Sequence, residues 1–383
     1  MRTLFDTKGD IGSLQRILHT LTENSDVKSL MVFGCDANGW TPETVDPILK
    51  ALPVPVFGGV FPKIIYGKQV HDNGVLVIGL NHSAEILIVP KLSNTEIDYN
   101  KILETPSEKW MQQNNAQDET IIVLVDGLSK RIASLVEALF MAFGLERNFI
   151  GGGAGSLSFK QKPCLITPEG LIRDAGLIVK LKIQSGVGVA HGWQPISESM
   201  KVTESDRNTI LSLDWIPAFD RYRELVEAHS GKTFTSDNFF SIAKGYPFGI
   251  NKLGGEVVVR DPLSTDGAKG LVCVGEVPTG SFVNLLNGTP DTLIAAASTA
   301  RQLASETCCE SKTESAPTLF IDCISRALFL EEQITEELAV VEGKGELFGA
   351  MTLGEIANNG RDYLEFYNKT SVVALLNDNY IPL

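Results

Sequence analysis

At 383 residues the chain is too long for one ordinary hydrophobic core, so two domains, each burying its own interior, are expected. Against 33 basic residues stand 47 acidic ones, giving a net charge of -14 and an isoelectric point of about 4.9, a balance that excludes nucleic acid as a partner and disfavours anionic membranes. The first ten residues lack the apolar centre of a signal peptide, and no run approaches the roughly 20 apolar residues of a membrane span, so a cytoplasmic protein with no membrane insertion is expected.

In chain order, a helix over 13–24 precedes a strand over 30–35, a helix over 42–52 and a strand over 54–60. Thr41-Pro42 marks the second helix, a capping residue followed by proline in the first turn. Segments 75–80 and 85–89 read as strands of a hairpin across Asn81-His-Ser-Ala84, and a polar helix follows over 95–113. Then comes the most apolar passage, Thr120-Ile-Ile-Val-Leu-Val-Asp126: a strand buried on both faces, a helical run, and a second strand ending in Gly151-Gly-Gly-Ala-Gly155. Short strands over 164–167, 171–173, 176–183 and 187–193 predict an antiparallel meander. A helix over 214–229, opened by proline and closed by Gly231, reads as a connection between domains.

Further strands are expected over 239–244 and 255–260, and a hairpin from 270–275 and 280–285. A helix over 291–305 leads to a second strand–helix–strand: Thr318-Leu-Phe-Ile-Asp-Cys-Ile-Ser325, 331–341 and Leu347-Phe-Gly-Ala-Met-Thr352, before a last strand over 370–376. Leu271 follows Val75, Phe282 follows Ile86, and Asp322 follows Asp126 by the same 196 positions. The constant offset predicts an internal duplication. The fold class is therefore α/β, with α+β as the alternative: two duplicated, layered domains, 1–215 and 216–383, with 214–230 between them and mixed, largely antiparallel sheets covered by helices.

Several motifs, in their order, resemble the FIST proteins, an N-terminal FIST domain followed by a C-terminal FIST partner. They include Phe57-Gly-Gly59, Val125-Asp-Gly-Leu-Ser129, Gly151-Gly-Gly-Ala-Gly155, His191-Gly-Trp193 with Lys201-Val-Thr203, and Leu213-Asp-Trp-Ile-Pro-Ala218 before Tyr222. Val259-Arg260, Phe320-Ile-Asp-Cys-Ile-Ser-Arg326 and Leu353-Gly-Glu-Ile356 continue the series. The resemblance implies an intracellular sensory protein that binds a small molecule, amino acids among the candidates. Relatives are fused to histidine kinases, chemotaxis receptors or an F-box. No length for such a module is visible here, so a separate signalling protein is the expected partner.

Catalytic patterns are sparse: there is no Gly-x-Ser-x-Gly elbow, no phosphate-binding Gly-x-x-x-x-Gly-Lys, and only five histidines. Six cysteines, at 35, 164, 273, 308, 309 and 323, form no Cys-x-x-Cys pair, so neither a metal nor a cofactor is expected. The glycine run reads as a strand end against which another backbone packs closely, rather than as a nucleotide loop.

Arg260, Arg326 and Glu355 flank apolar segments, where guanidinium suits a carboxylate and Glu355 an ammonium. A zwitterion such as an amino acid fits that set, with Trp193 or Phe348 as an apolar wall and His191 as a further ligand-binding group. The structural alternative is an Arg326–Glu355 ion pair. A competing reading is a hydrolase or transferase with Cys323 as nucleophile and His191 as base, and a third is a protein-interaction module. Asp126 with Ser129 and Asp322 with Ser325 read as repeated caps, and Glu331, Glu332, Glu336 and Glu337 as an exposed helix face.

Overall fold

The computed structural model describes residues 1–111, 116–144, 146–252, 257–308, 315–358 and 363–377; Gly255 and Cys309 lie outside the described residues, as does the end of the helix expected over 95–113. The chain is α/β, and one order of elements runs through it three times. The first pass is β1 (Arg2–Asp6), α1 (Ile11–Thr22), β2 (Ser29–Cys35), α2 (Pro42–Lys50), β3 (Val56–Phe61), β4 (Lys63–Tyr66), β5 (Gln69–His71) and β6 (Val75–Leu80). The second is β7 (Glu85–Pro90), α3 (Tyr99–Met111), β8 (Thr120–Asp126), α4 (Ile132–Phe143), β9 (Asn148–Ala154), β10 (Leu165–Thr167), β11 (Gly170–Ile172) and β12 (Ala175–Leu181).

The third begins with β13 (Gln184–Ala190) and is interrupted by an insertion over 191–289. The insertion holds β14 (Gln194–Pro195), β15 (Met200–Asp206), β16 (Thr209–Leu213), β17 (Ile216–Pro217), α5 (Ala218–Ser230), α6 (Phe239–Ala243), β18 (Phe248–Ile250), β19 (Val258–Arg260), β20 (Pro262–Thr265), β21 (Leu271–Cys273) and β22 (Phe282–Asn287). The repeat resumes with α7 (Pro290–Thr307), β23 (Thr318–Cys323), α8 (Ile324–Leu330), α9 (Ile334–Val341), β24 (Leu347–Thr352), β25 (Glu355–Ala357), β26 (Glu365–Tyr367) and β27 (Ser371–Asn377).

Three six-stranded sheets follow the same plan: β1-β6-β2-β3-β10-β11, β7-β12-β8-β9-β25-β26 and β13-β27-β23-β24-β4-β5. In each, a parallel pair joined through helix sits at the centre with an antiparallel strand beside it. The central strands are buried on both faces, hence their unbroken apolar runs. Each repeat then lends its short hairpin to another repeat's sheet: β4–β5 to the third, β10–β11 to the first, β25–β26 to the second. Strands from both sides of residue 215 therefore share sheets. The joints are closed by Gly155 N–H to Val60 O and Leu353 N–H to Gly153 O, each 2.8 Å; the corresponding position in the first repeat is Pro62, which has no hydrogen to give.

Of the expected duplication, 120–155 and 318–352 are two parts of a triplication, at an offset that slips by one residue, whereas Leu271 and Phe282 lie in the insertion and have no counterpart in Val75 and Ile86. Gly58, Gly151 and Gly349 stand opposite Val32, Val123 and Phe320, and at each a Cβ would collide with the facing carbonyl oxygen. That register makes Cys323, not Asp322, the counterpart of Asp126, because one step along a strand moves a side chain to the other face.

Other pairings also differ from expectation. β6 and β7 belong to different sheets, so Asn81–Ala84 is a crossing rather than a hairpin turn, and only β10–β11 of the expected meander is a hairpin. β21 pairs with β16 and β20, and β22 with β18, β15 and β14, so those two do not form a hairpin either. Segment 239–244 is helical: Phe239 packs against Phe219, Tyr222 and Phe234, while Ile242 and Ala243 are buried behind it. A short apolar run does not reveal which period its neighbours require. The helix expected from 214 starts at Ala218, after a two-residue turn at Asp214-Trp215 with φ of 49° and 68° linking β16 and β17.

No helix among the described residues is long and apolar enough to cross a membrane.

Candidate functional site

Cys323 ends β23 and α8 begins at the next residue, which turns Arg326 inward at the first turn of the helix. Its five N–H donors are all taken by the protein. Nε faces Asp322 Oδ1 and Glu337 Oε1, each at 3.1 Å; Nη1 reaches the carbonyls of His191 (2.7 Å) and Lys369 (3.3 Å); Nη2 reaches Leu293 O (2.9 Å) and Glu337. Arg326 therefore pairs with Asp322 and Glu337, not with Glu355, and is fully buried. Glu337, expected on an exposed face, is the buried partner of that arginine, while Glu331, Glu332 and Glu336 are exposed. Asp322 is likewise a buried ion-pair member rather than a cap, whereas Asp126 does accept the Leu128 N–H of its own turn, and also the Asp174 N–H just before β12.

Beside this cluster, Glu355 accepts from Thr352 Oγ1 (2.9 Å), Thr370 N (3.3 Å) and the Cys323 thiol. Burial pushes its pKa up to about 8. Burial and the nearby Glu337 push the Asp322 carboxyl well up too. Lys369 Nζ pairs with Asp261 Oδ2 at 3.2 Å, donates to Lys244 O at 2.9 Å and lies 5.1 Å from the centre of the Trp193 ring. Arg326 and Lys369 thus share this buried interior with four carboxyl groups, those of Asp322, Glu337, Asp261 and Glu355.

His191 and Trp193 border the same centre. The His191 Nδ1 accepts from Trp193 N at 2.9 Å, and burial, with Arg326 nearby, lowers its pKa to about 4. Burial and Glu355 hold the Cys323 thiol well above its usual range, opposite to what an activated nucleophile needs. The sequence thus brings together Arg326, His191 and Trp193, and separately Cys323 and Glu355, in an interior that water does not reach. Phe348 is buried within β24.

Arg260 faces elsewhere. Nε donates to Glu276 O (3.0 Å) and Nη1 to Val259 O and Phe366 O (both 3.0 Å), tying a loop of the insertion to β26. Glu276 and Phe366 are two walls of a cleft of about 280 Å³, completed by Ser129 and Lys130 after β8 and by Asp206 and Arg207 in the β15–β16 turn. Arg260 thereby links two walls of the cleft through hydrogen bonds to their carbonyls. Lys130, Asp206, Arg207 and Glu276 were not legible as site residues, because they are polar turn residues whose convergence depends on how the insertion docks. The polar tip Asp206-Arg-Asn208 was the one available signal.

Three interlocked α/β repeats, with an inserted sheet closing a small polar cleft, define the class of α/β protein to which this chain belongs. The chain belongs to the FIST family: the FIST N domain matches residues 29–216 and the FIST C domain residues 218–358. FIST domains are sensory domains. Comparison with the curated proteins gave no match.

Proposed function

We propose that this protein is a sensor whose ligand, a small zwitterion such as an amino acid, binds in the cleft between the second repeat and the insertion. One observation carries the reading: the cleft gathers two cations, Lys130 and Arg207, and two anions, Asp206 and Glu276, around about 280 Å³, a size suited to a small molecule. The cations suit a carboxylate and the anions an ammonium. Because one wall belongs to the insertion and the other to the repeats, a ligand touching both favours the closed arrangement by its differential affinity, and a separate signalling protein reads that arrangement in the cytoplasm.

Calorimetric titration of the 20 standard amino acids into the full-length protein tests this. Saturable binding of at least one is expected, weakened about tenfold or more by Arg207→Ala. Absence of binding across the set, or binding indifferent to both Arg207→Ala and Glu276→Gln, would refute it.

A further inference from the structure

A second cleft, at the joint between the third and first repeats, has a different chemistry. It is an open hollow of about 550 Å³ among the borrowed hairpin β4–β5, the C-terminal end of α8 and helix α6 of the insertion. Its lining is mainly apolar, with Val70, Phe240, Leu328 and Ile334, joined by two lysines, Lys63 and Lys244, and one carboxylate, Glu331. In a chain of net charge -14, a hollow whose apolar lining carries two cations to one anion suits an anion with a hydrophobic body.

The present partners of those lysines are weak competitors. Lys63 Nζ lies 2.9 Å from Asp72 and Lys244 Nζ 3.0 Å from Glu331, but the two carboxylates are 70% and 72% exposed, and exposed pairs contribute little. A carboxylate whose hydrocarbon part fills the hollow adds burial that neither side chain offers. We infer that this cleft is a binding site for an apolar monocarboxylate, such as a medium-chain or branched aliphatic acid, recognised by Lys63 and Lys244. The inference does not depend on the zwitterion cleft.

The site also touches the buried ionic centre. Lys244 Nζ donates to Leu328 O near the end of α8 at 3.1 Å, and Lys244 O accepts from Lys369 Nζ at 2.9 Å, so a ligand that re-aims Lys244 acts on the helix that carries Arg326. That contact gives occupancy a route to the interior.

Titration calorimetry with octanoate below its micelle range, with 1-octanol as the neutral control, tests the site on the full-length protein. One saturable octanoate site is expected, with octanol at least about tenfold weaker, since the charged contact is worth about that factor. Lys63→Gln should weaken octanoate by a similar factor. Ser241→Trp, a replacement on the exposed side of α6 that fills the cleft, should abolish binding, while Arg207→Ala leaves it unchanged. No saturable octanoate binding, octanol binding as tightly as octanoate, or an unaffected Ser241→Trp would each overturn the assignment. Should Ser241→Trp fail to fold, Lys63→Gln, which removes an ion pair with the solvent-exposed Asp72, decides the matter alone.

Discussion

Glu355→Gln offers the sharpest test of the buried centre. Glu355 is fully buried, and its pKa is raised to about 8 from an ordinary value of 4.5. The folded protein therefore keeps a proton that the unfolded chain releases. That contribution is complete below pH 4.5, declines as pH rises, and is exhausted above about 8. Multiplying the difference of about 3.5 pH units by roughly 1.36 kcal/mol per unit gives a loss of about 5 kcal/mol across the window.

Glutamine resembles the protonated acid in shape and has no charge to gain. The glutamine Oε1 accepts from Thr352 Oγ1 as the Glu355 oxygen does at 2.9 Å. Urea denaturation of both proteins at pH 5, 6, 7 and 8 should show the variant gaining stability relative to wild type with each step. A difference that stays constant within about 1 kcal/mol over that range would refute the reasoning.

Arg326→Met removes the cation from between Asp322 and Glu337 and should destabilise the fold by about 3–5 kcal/mol in urea melts at neutral pH; Arg326→Lys should recover little, since one ammonium has three donors for the acceptors that five N–H groups now serve. Gly151→Val forces a Cβ into the Val123 carbonyl at the heart of the second sheet, so little soluble folded protein is expected on expression. Trp215→Gly relieves a non-glycine residue at φ 68°; with Trp215 79% exposed, a gain of about 0.5–1 kcal/mol in chemical denaturation is expected. Alkylation by iodoacetamide at pH 8, read by peptide mass spectrometry, should leave Cys323 unmodified in the native protein and modify it readily in urea, because burial and Glu355 hold the thiol protonated.

The central strands were legible because doubly buried strands must be apolar throughout, and the helices because Thr41-Pro42 and similar pairs announce their own starts. The first repeat was not: β2, α2 and β3 carry the same layout as the other two, but β2 ends on Cys35 and holds no Asp, the feature that made 120–126 and 318–323 look alike. Likewise Glu337 sits in a run of glutamates, and nothing local separates the one that meets Arg326 from those that meet water. Arg326, His191 and Trp193 lie side by side, and the five N–H groups of Arg326 are taken by protein acceptors.

By itself the sequence determined the α/β class, the positions of the central strands and the closeness of backbone that the glycines permit, because these depend on side-chain chemistry within a few residues. Only the tertiary structure decided that each hairpin pairs in another repeat's sheet, that Asp126 corresponds to Cys323, and that the clefts open at the joints instead of at the buried charges. Those outcomes depend on which distant segment supplies the missing hydrogen bonds and the covering surface, and no local pattern carries that information.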